Sequence, residues 1–254
     1  MYRGKNVVVV MPAYNAAKTI ERAFVEVCGQ NVADTVVVVD DCSRDDTVAV
    51  ASGLSHPGVN VVVHRHDRNQ GYGGNQKSCY RLALEAGADI VVMVHPDCQY
   101  TPKLLTAMVS MIAEGLHECV LASRILGGYS LKGGMPLWKY VSNRALTFAM
   151  NLLMGAKLSE YHTGYRAFSA DLLRRLPLDE NMDDFGFDAQ MLAEIIWAGT
   201  TIGEVSCPTV YFDEASSINF VRSCKYGFGC LGVSLLYRLC RMHLAKSAKF
   251  PRRS

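Results

Sequence analysis

Four short β-branched runs constrain the first half of this 254-residue chain. They cover residues 7–10, 36–39, 61–63 and 90–94, and each stops at polar or turn-forming residues. Stretches with helical apolar spacing lie between them. Continuous apolar runs of this length read as strands buried on both faces. Their alternation with helical patterns predicts a parallel sheet with right-handed crossovers. The expected strands are 6–11, 35–39, 59–63 and 90–94. The intervening helices carry Ile20, Ala23, Phe24, Val27 and Cys28 on one face, then residues 48–54, then Cys79, Leu82, Ala83 and Ala86.

The second half changes character. Thr101-Pro102 starts a helix, with proline tolerated in its first turn, and residues 119–123 form a short strand. Gly127-Gly128 and Gly133-Gly134 bracket a loop that reads as mobile. Residues 137–154 form a long helix with Trp138, Val141, Ala145, Phe148 and Leu152 on one face. A turn and short strand at 162–168, a helix at 187–198 and strands at 201–205 and 207–212 follow. A last amphipathic helix covers 223–244, with Phe228, Leu231, Leu235 and Leu239 as its apolar stripe. No repeat or linker interrupts the pattern. One domain over 1–254 is expected, with a nucleotide-binding half to about residue 123 and an acceptor half from 124.

Half of the residues are hydrophobic, enough for a full core. A net charge of +2 argues against bulk nucleic-acid binding. The cations are uneven, however, and the C-terminus gathers Arg238, Arg241, Lys246, Lys249, Arg252 and Arg253. With the final helix, that basic tail fits a monotopic contact with an anionic membrane. A helix packed on the chain's own core is the competing reading. The run 226–237 is too short to span a bilayer. Nine scattered cysteines, an odd number without zinc or redox spacing, predict a reducing, cytoplasmic setting, peripheral to the inner membrane face if the helix touches lipid. A homo-oligomer stays open.

The chemistry concentrates where strands end. Asp40-Asp41 closes the second strand, and His95-Pro96-Asp97 closes the fourth. Pro96 cannot donate to a ladder, so the strand should stop near His95. Open α/β sheets bind ligands at this edge. Carboxylates gathered there repel unless a cation joins them, and oxygen ligands favour Mg²⁺ or Mn²⁺ with a diphosphate completing the shell. Asp40 or Asp41 can instead accept hydrogen bonds from a base or ribose, or simply form a turn and helix cap. His95 is either a metal ligand, which favours Mn²⁺, or an ordinary buried histidine. Gly71-Tyr72-Gly73-Gly74 does not complete Gly-x-Gly-x-x-Gly, because Gln76 stands at the last position. Its glycines are expected to let the backbone approach a ribose or phosphate, with Lys77 on the next helix.

Together these stretches resemble the family 2 glycosyltransferases of GT-A fold, within them the dolichol-phosphate-mannose-synthase-like and other polyprenyl-phosphate enzymes. The matching pieces are Val8-Val9-Val10-Met11-Pro12-Ala13-Tyr14-Asn15, Val39-Asp40-Asp41-Cys42-Ser43-x-Asp45-x-Thr47, Asn69-Gln70-Gly71 with Gly73-Gly74, Pro96-Asp97-Cys98-Gln99, Ser123-Arg124 and Thr163-Gly164-Tyr165-Arg166-Ala167-Phe168. They run in family order over about residues 6–205. The resemblance implies inverting transfer of a hexose from a GDP-mannose- or UDP-glucose-type donor to a polyprenyl phosphate. Pro12, Ala13, Tyr14, Asn15 and Asp41 would frame base and ribose, with Asp40, Ser43, Gly71, Gly74, Lys77 and Gln99 completing the nucleotide set. Asp97 would hold the metal, and His95 replaces the first carboxylate of the usual Asp-x-Asp. Arg124, Lys139, Ser142, Arg144 and Arg166 would receive the acceptor. A phosphate acceptor needs no general base, whereas a hydroxyl acceptor usually does. Asp188 stands where similar hydroxyl-acceptor enzymes place that base, so transfer to a glycan or small natural product is the alternative. A non-catalytic sugar-nucleotide-binding subunit is the reading from another class.

Overall fold

The computed structural model describes residues 1–209 and 220–251. Strands β1 (Val7–Ala13), β2 (Thr35–Asp40), β3 (Asn60–Arg65) and β4 (Ile90–Met93) alternate with helices α1 (Ile20–Cys28), α2 (Thr47–Ser52) and α3 (Gly71–Glu85). Then come α4 (Leu105–Ala113), β5 (Cys119–Ser123), α5 (Leu137–Met154), β6 (Arg166–Ser169), α6 (Ala170–Arg175), α7 (Phe187–Ala198), β7 (Ile202–Ser206) and α8 (Phe220–Arg241). All seven strands join one sheet in the order β3-β2-β1-β4-β6-β5-β7. Only β6 runs against its neighbours, wedged between β4 and β5. The runs in β1, β2 and β4 are buried as expected, because apolar layers cover both faces; the valines of β3, at the edge of the sheet, are only half-buried. One layer includes α3, α7, α8 and the end of α5; the other includes α1 and α4.

Several expected boundaries shift for identifiable reasons. β1 continues through Pro12 to Ala13. β4 pairs only with residues 7–10 of β1, so Pro12 turns its donorless nitrogen toward a side where β4 has already ended. β4 itself stops at Met93, before His95. No strand forms at 207–209, where Thr209 makes an isolated bridge with Tyr100. The rest of that expected strand, 210–212, lies outside the described residues, as do Arg252 and Arg253.

Of the four helices described in the second half of the chain, α5 is turned unlike an ordinary amphipathic helix. α5 buries Asn143, Thr147, Met150 and Met154. Its apolar stripe of Trp138, Val141, Phe148 and Leu152 faces outward. α8 buries Cys230, Ser234, Tyr237 and Cys240 and exposes Phe228 and Leu235. The expected apolar stripe of the last helix is therefore not what packs on the core.

Candidate active site

The chain runs from β1 to β3 outward, then returns to place β4 on the other side of β1. That reversal is the topological switch point, and the crevice beyond the carboxyl ends of β1 and β4 is where such sheets bind ligands. Pro12 and Ala13 line its floor as buried residues, and Tyr14 stands exposed above them. Asn15 takes a left-handed φ of 50°, which its short amide tolerates. Its backbone N–H donates to Ser43 Oγ at 2.8 Å, and its Oδ1 accepts from the Arg44 N–H at 2.9 Å. The Ser43 N–H in turn donates to Asp40 Oδ2 at 3.0 Å. Asp40 and Ser43 thus build the wall of the crevice. Asp41 is equally structural: Oδ1 accepts from the Gln70 N–H at 2.7 Å and pairs with His66 Nδ1 at 2.8 Å, while Oδ2 accepts from the Gly71 N–H at 3.0 Å. His66 and the backbone N–H groups of Gln70 and Gly71 engage both oxygens of this carboxylate.

The glycine-rich turn requires a correction. Gly71, Gly73 and Gly74 make room for the chain's own segment around Met182 and Asp183, not for a phosphate. A Cβ on Gly71 would lie 2.5 Å from the Asp183 carbonyl oxygen, and one on Gly73 would lie 2.4 Å from that of Met182. The Gly73 and Gly74 N–H groups donate to the Asp183 carbonyl. Lys77 is engaged there too, its Nζ bonded to the Asn181 carbonyl at 2.5 Å and to Asp183 Oδ1 at 2.8 Å. Gly71, Gly74 and Lys77 therefore hold the segment at residues 181–183 in place.

Beyond β4, His95 and Asp97 are half-buried. Tyr72, from the glycine turn, stacks on His95 with ring centroids 5.6 Å apart and on Phe185 at 4.7 Å. Its single hydroxyl proton goes to Asp188 Oδ2 at 2.9 Å. Its oxygen consequently accepts at the second contact, from His95 Nε2–H at 3.3 Å. The imidazole is therefore the Nε2–H tautomer, and its pKa is lowered, by burial first, against the pull of Asp97 and Asp188. Nδ1 keeps a lone pair that no described residue engages. Asp97 gives Oδ1 to the Gln99 N–H at 3.1 Å, and no described residue hydrogen-bonds Oδ2. One imidazole nitrogen and one carboxylate oxygen suit a divalent cation, and they suit Mn²⁺ better than Mg²⁺. Among the described residues no cluster of three or more metal-binding side chains exists, so a diphosphate would have to complete the shell.

Asp188 opens α7 but is not poised as a base. Its Oδ1 accepts from Gln76 Nε2 at 3.1 Å and pairs with Arg166 at 3.3 Å, while Oδ2 holds the Tyr72 proton. Arg166 is corrected as well. It is wholly buried, with Nε on the Thr163 carbonyl at 2.7 Å and other donors on the Tyr161 and Asp188 carbonyls. It braces Asp188 and cannot reach an acceptor. Gly164 presses on the same Nε2 edge of His95, where a Cβ would lie 2.6 Å from the imidazole and 3.6 Å from the Tyr72 hydroxyl.

Arg124 is held by a carboxylate, and its charge is felt at Lys139. The Arg124 guanidinium pairs with the buried Glu160 and donates to the His162 carbonyl at 2.7 Å. Burial alone would raise the Glu160 pKa, yet the Arg124 charge holds it below the ordinary value. Asn143, from the inner face of α5, adds a bond to Glu160 Oε1 at 2.9 Å. The Lys139 pKa is lowered, by burial and then by repulsion from Arg124. Arg144 binds the Ser159 carbonyl at 2.6 Å, and Ser142 faces outward. Tyr72, Gln76, His66, Glu160 and Phe185 were not expected here. Each works by contact with a residue distant in sequence, which no local spacing announces.

Residues 8–176 match the family described as glycosyl transferase family 2. The chain is 28% identical to the UDP-N-acetylglucosamine–dolichyl-phosphate N-acetylglucosaminyltransferase of Methanococcus voltae, over 95% of this chain and 98% of that one. It is 29% identical to the undecaprenyl-phosphate mannosyltransferase of Micrococcus luteus, over 78% and 81%. Among solved structures it resembles glucosyl-3-phosphoglycerate synthase from Mycobacterium tuberculosis, crystallised with Mn²⁺, UDP and glucosyl-3-phosphoglycerate. The TM-score is 0.65 at 20% identity, over 96% of this chain and 82% of that one. This likeness concerns the fold, which is the GT-A arrangement.

Proposed function

The chain belongs to glycosyl transferase family 2, and from that premise we propose that it transfers a hexose or hexosamine from a nucleoside-diphosphate sugar to a polyprenyl phosphate, with inversion. The observation that carries the choice of acceptor is the condition of Asp188 beside that of Arg124 and Lys139. Asp188 is buried and fully bonded to Tyr72, Gln76 and Arg166, so it is no free base for a hydroxyl. Arg124, paired with Glu160, and the half-buried Lys139 are two cations in this region of the crevice, and an incoming phosphate would offset the repulsion that lowers the Lys139 pKa. The names of the Methanococcus and Micrococcus relatives point the same way.

In this reading a phosphate oxygen of the acceptor attacks the anomeric carbon from the face opposite the leaving group. The bond from that carbon to the donor's β-phosphate oxygen breaks, and the nucleoside diphosphate departs with the electron pair. The acceptor is already an anion, so no proton need be removed first. Tyr14, Asn15 and the Asp40–Ser43 turn border the base and ribose, and Gln99 lies beside the diphosphate. Asp97 and His95 would hold the cation, which when bound offsets charge on the departing diphosphate.

The test is a transfer assay with UDP- and GDP-sugars, Mn²⁺ or Mg²⁺, and a short prenyl phosphate set against the same prenol without phosphate. Product is expected from the phosphate alone. Glycosylation of the prenol or of a glycan hydroxyl, with none of the phosphate, would overturn the reading in favour of a hydroxyl acceptor. Nucleotide binding without transfer or donor hydrolysis under any metal would make the chain a binding subunit.

A further inference from the structure

Residues 247–251 form a turn that is fixed to the interior. Ser247 and Phe250 make an isolated bridge, with the Phe250 N–H donating to the Ser247 carbonyl at 3.1 Å. The Phe250 ring is buried between Trp197 and Tyr237, at centroid distances of 5.4 and 5.5 Å. Trp197 Nε1 donates to the Pro251 carbonyl at 2.8 Å. With its neighbours held in this way, Lys249 is directed onto a second segment. Its ammonium donates to the Glu180 carbonyl and to Asn181 Oδ1, the latter at 3.0 Å.

That second segment, residues 181–186, belongs to no helix or strand. Its backbone groups have no ladder of their own and are met from outside. The Asn181 carbonyl accepts from Lys77 Nζ at 2.5 Å, the Met182 N–H donates to Gln190 Oε1 at 2.7 Å, and the Asp183 carbonyl accepts from the Gly73 N–H at 2.8 Å. The Asn181 side chain is oriented by its two partners. A lysine can only donate, so Oδ1 faces Lys249, and Nδ2 donates to Glu194 Oε2 at 3.0 Å. The segment ends by laying Phe185 on Tyr72, with centroids 4.7 Å apart. Phe185 is 41% exposed, so burial in the core does not hold that ring. Its position follows from how the segment is tied down.

We infer that Lys249 is a positioning residue of the active site: by clamping Asn181 it sets Phe185 against Tyr72, and through Tyr72 it sets the imidazole of His95. Tyr72 stacks on His95 and accepts from its Nε2–H at 3.3 Å, so a displaced Tyr72 turns the nitrogen offered to a cation. Lys249 acts on this network through residues 181–185 and not on the cation itself. The inference rests on the reading in which His95 and Asp97 hold the donor's cation. Spatial continuity alone does not make a coupling, and the experiment measures the coupling itself.

The experiment uses the full chain and the variants Lys249→Met, Lys249→Arg and Phe185→Ala. Hydrogen exchange of the metal-free protein reads the segment, and calorimetric titration of Mn²⁺ into UDP-saturated protein reads the site. Lys249→Met keeps the length of the side chain and removes its donors. It should speed exchange of the Met182 and Phe187 amides about tenfold while the amides of β1 and β2 stay protected. It should also weaken Mn²⁺ binding about tenfold, the low end for a group that acts through a ligand's partner. Lys249→Arg, which still donates, should recover most of both. In the Phe185→Ala background, Lys249→Met should cost no further Mn²⁺ affinity, because the connection is already cut. Faster exchange with unchanged Mn²⁺ affinity overturns the inference and leaves Lys249 as a tie of the fold alone. Additive losses in the two backgrounds overturn it as well. Wild-type protein that binds neither UDP nor Mn²⁺ would instead sink the functional reading, and this inference with it.

Discussion

At the scale of single residues, the informative site is the chain of bonds from Asp188 through Tyr72 to His95. Replacing a carboxylate with an imidazole does more than change a donor atom. An imidazole has two nitrogens, and which one is free depends on what the other does. Here the Tyr72 hydroxyl is committed to Asp188 at 2.9 Å, so it accepts from His95 and leaves Nδ1 as the lone-pair nitrogen. Tyr72→Phe keeps the stacked ring but removes that control. Calorimetric titration of Mn²⁺ into the UDP-saturated protein should show an affinity loss of about 10–100-fold. His95→Asp should narrow the preference for Mn²⁺ over Mg²⁺ in the same titration, because an all-oxygen set no longer discriminates by nitrogen. Equal affinities of wild type for the two ions would remove His95 from the ligand set. Gly164 has a share in this geometry, since any larger residue would push the imidazole from a distance of 2.6 Å.

Among the elements, α3 and the loop before α7 behave as one piece. The glycine turn at the start of α3 looks from sequence like a phosphate cradle, because both uses require the same absence of a Cβ. What decides is the partner, and the partner is the carbonyl row of residues 182 and 183. That loop carries Phe185 onto Tyr72, so the glycines position the metal-side network at one remove. A Cβ on Gly73 would lie 2.4 Å from the Met182 oxygen and 2.7 Å from Phe187 Cβ. Neither neighbour is a flexible side-chain end. Gly73→Ala should therefore destabilise the protein by about 1–3 kcal/mol, the usual range for overpacking. On the proposed reading, in which Tyr14, Asn15 and the Asp40–Ser43 turn border the base and ribose, it should also lower kcat more than it raises the donor KM. Denaturant melts and steady-state kinetics check both parts, and a variant with wild-type stability would show that the loop is not held there.

For the molecule as a whole, the sheet and the order of its motifs were legible because valine runs and strand-end punctuation are local signals. β6, antiparallel inside the sheet, and the outward turn of α5 were not, since both depend on where neighbouring elements already sit. Residue types did not announce that Asp188 and Arg166 would pair in the interior. Equally invisible was the tie between the chain's end and its centre. Trp197 Nε1 donates to the Pro251 carbonyl at 2.8 Å, and Phe250 packs on Trp197 and Tyr237. Lys249 reaches Asn181 Oδ1 at 3.0 Å, and Asn181 Nδ2 donates to Glu194 Oε2 at 3.0 Å. Glu194 is buried beneath this knot, and its Oε1 has no partner among the described residues. Burial pushes its pKa up to about 7, against the bond from Asn181 and the charges of Lys249 and Lys77, with Glu180 adding to the rise. A carboxyl whose pKa is higher folded than unfolded binds more protons in the folded state between the two values. Its contribution to stability is complete below the ordinary glutamate range and is lost as pH rises to about 7. A rise of that size corresponds to about 3 kcal/mol. Glu194→Gln keeps the shape and cannot ionise, so its stability relative to wild type should climb by about that amount between pH 4.5 and 8. Urea melts of both proteins across that range measure the difference directly. Parallel curves would mean that Glu194 ionises without penalty, and that the knot at the chain's end is open to water.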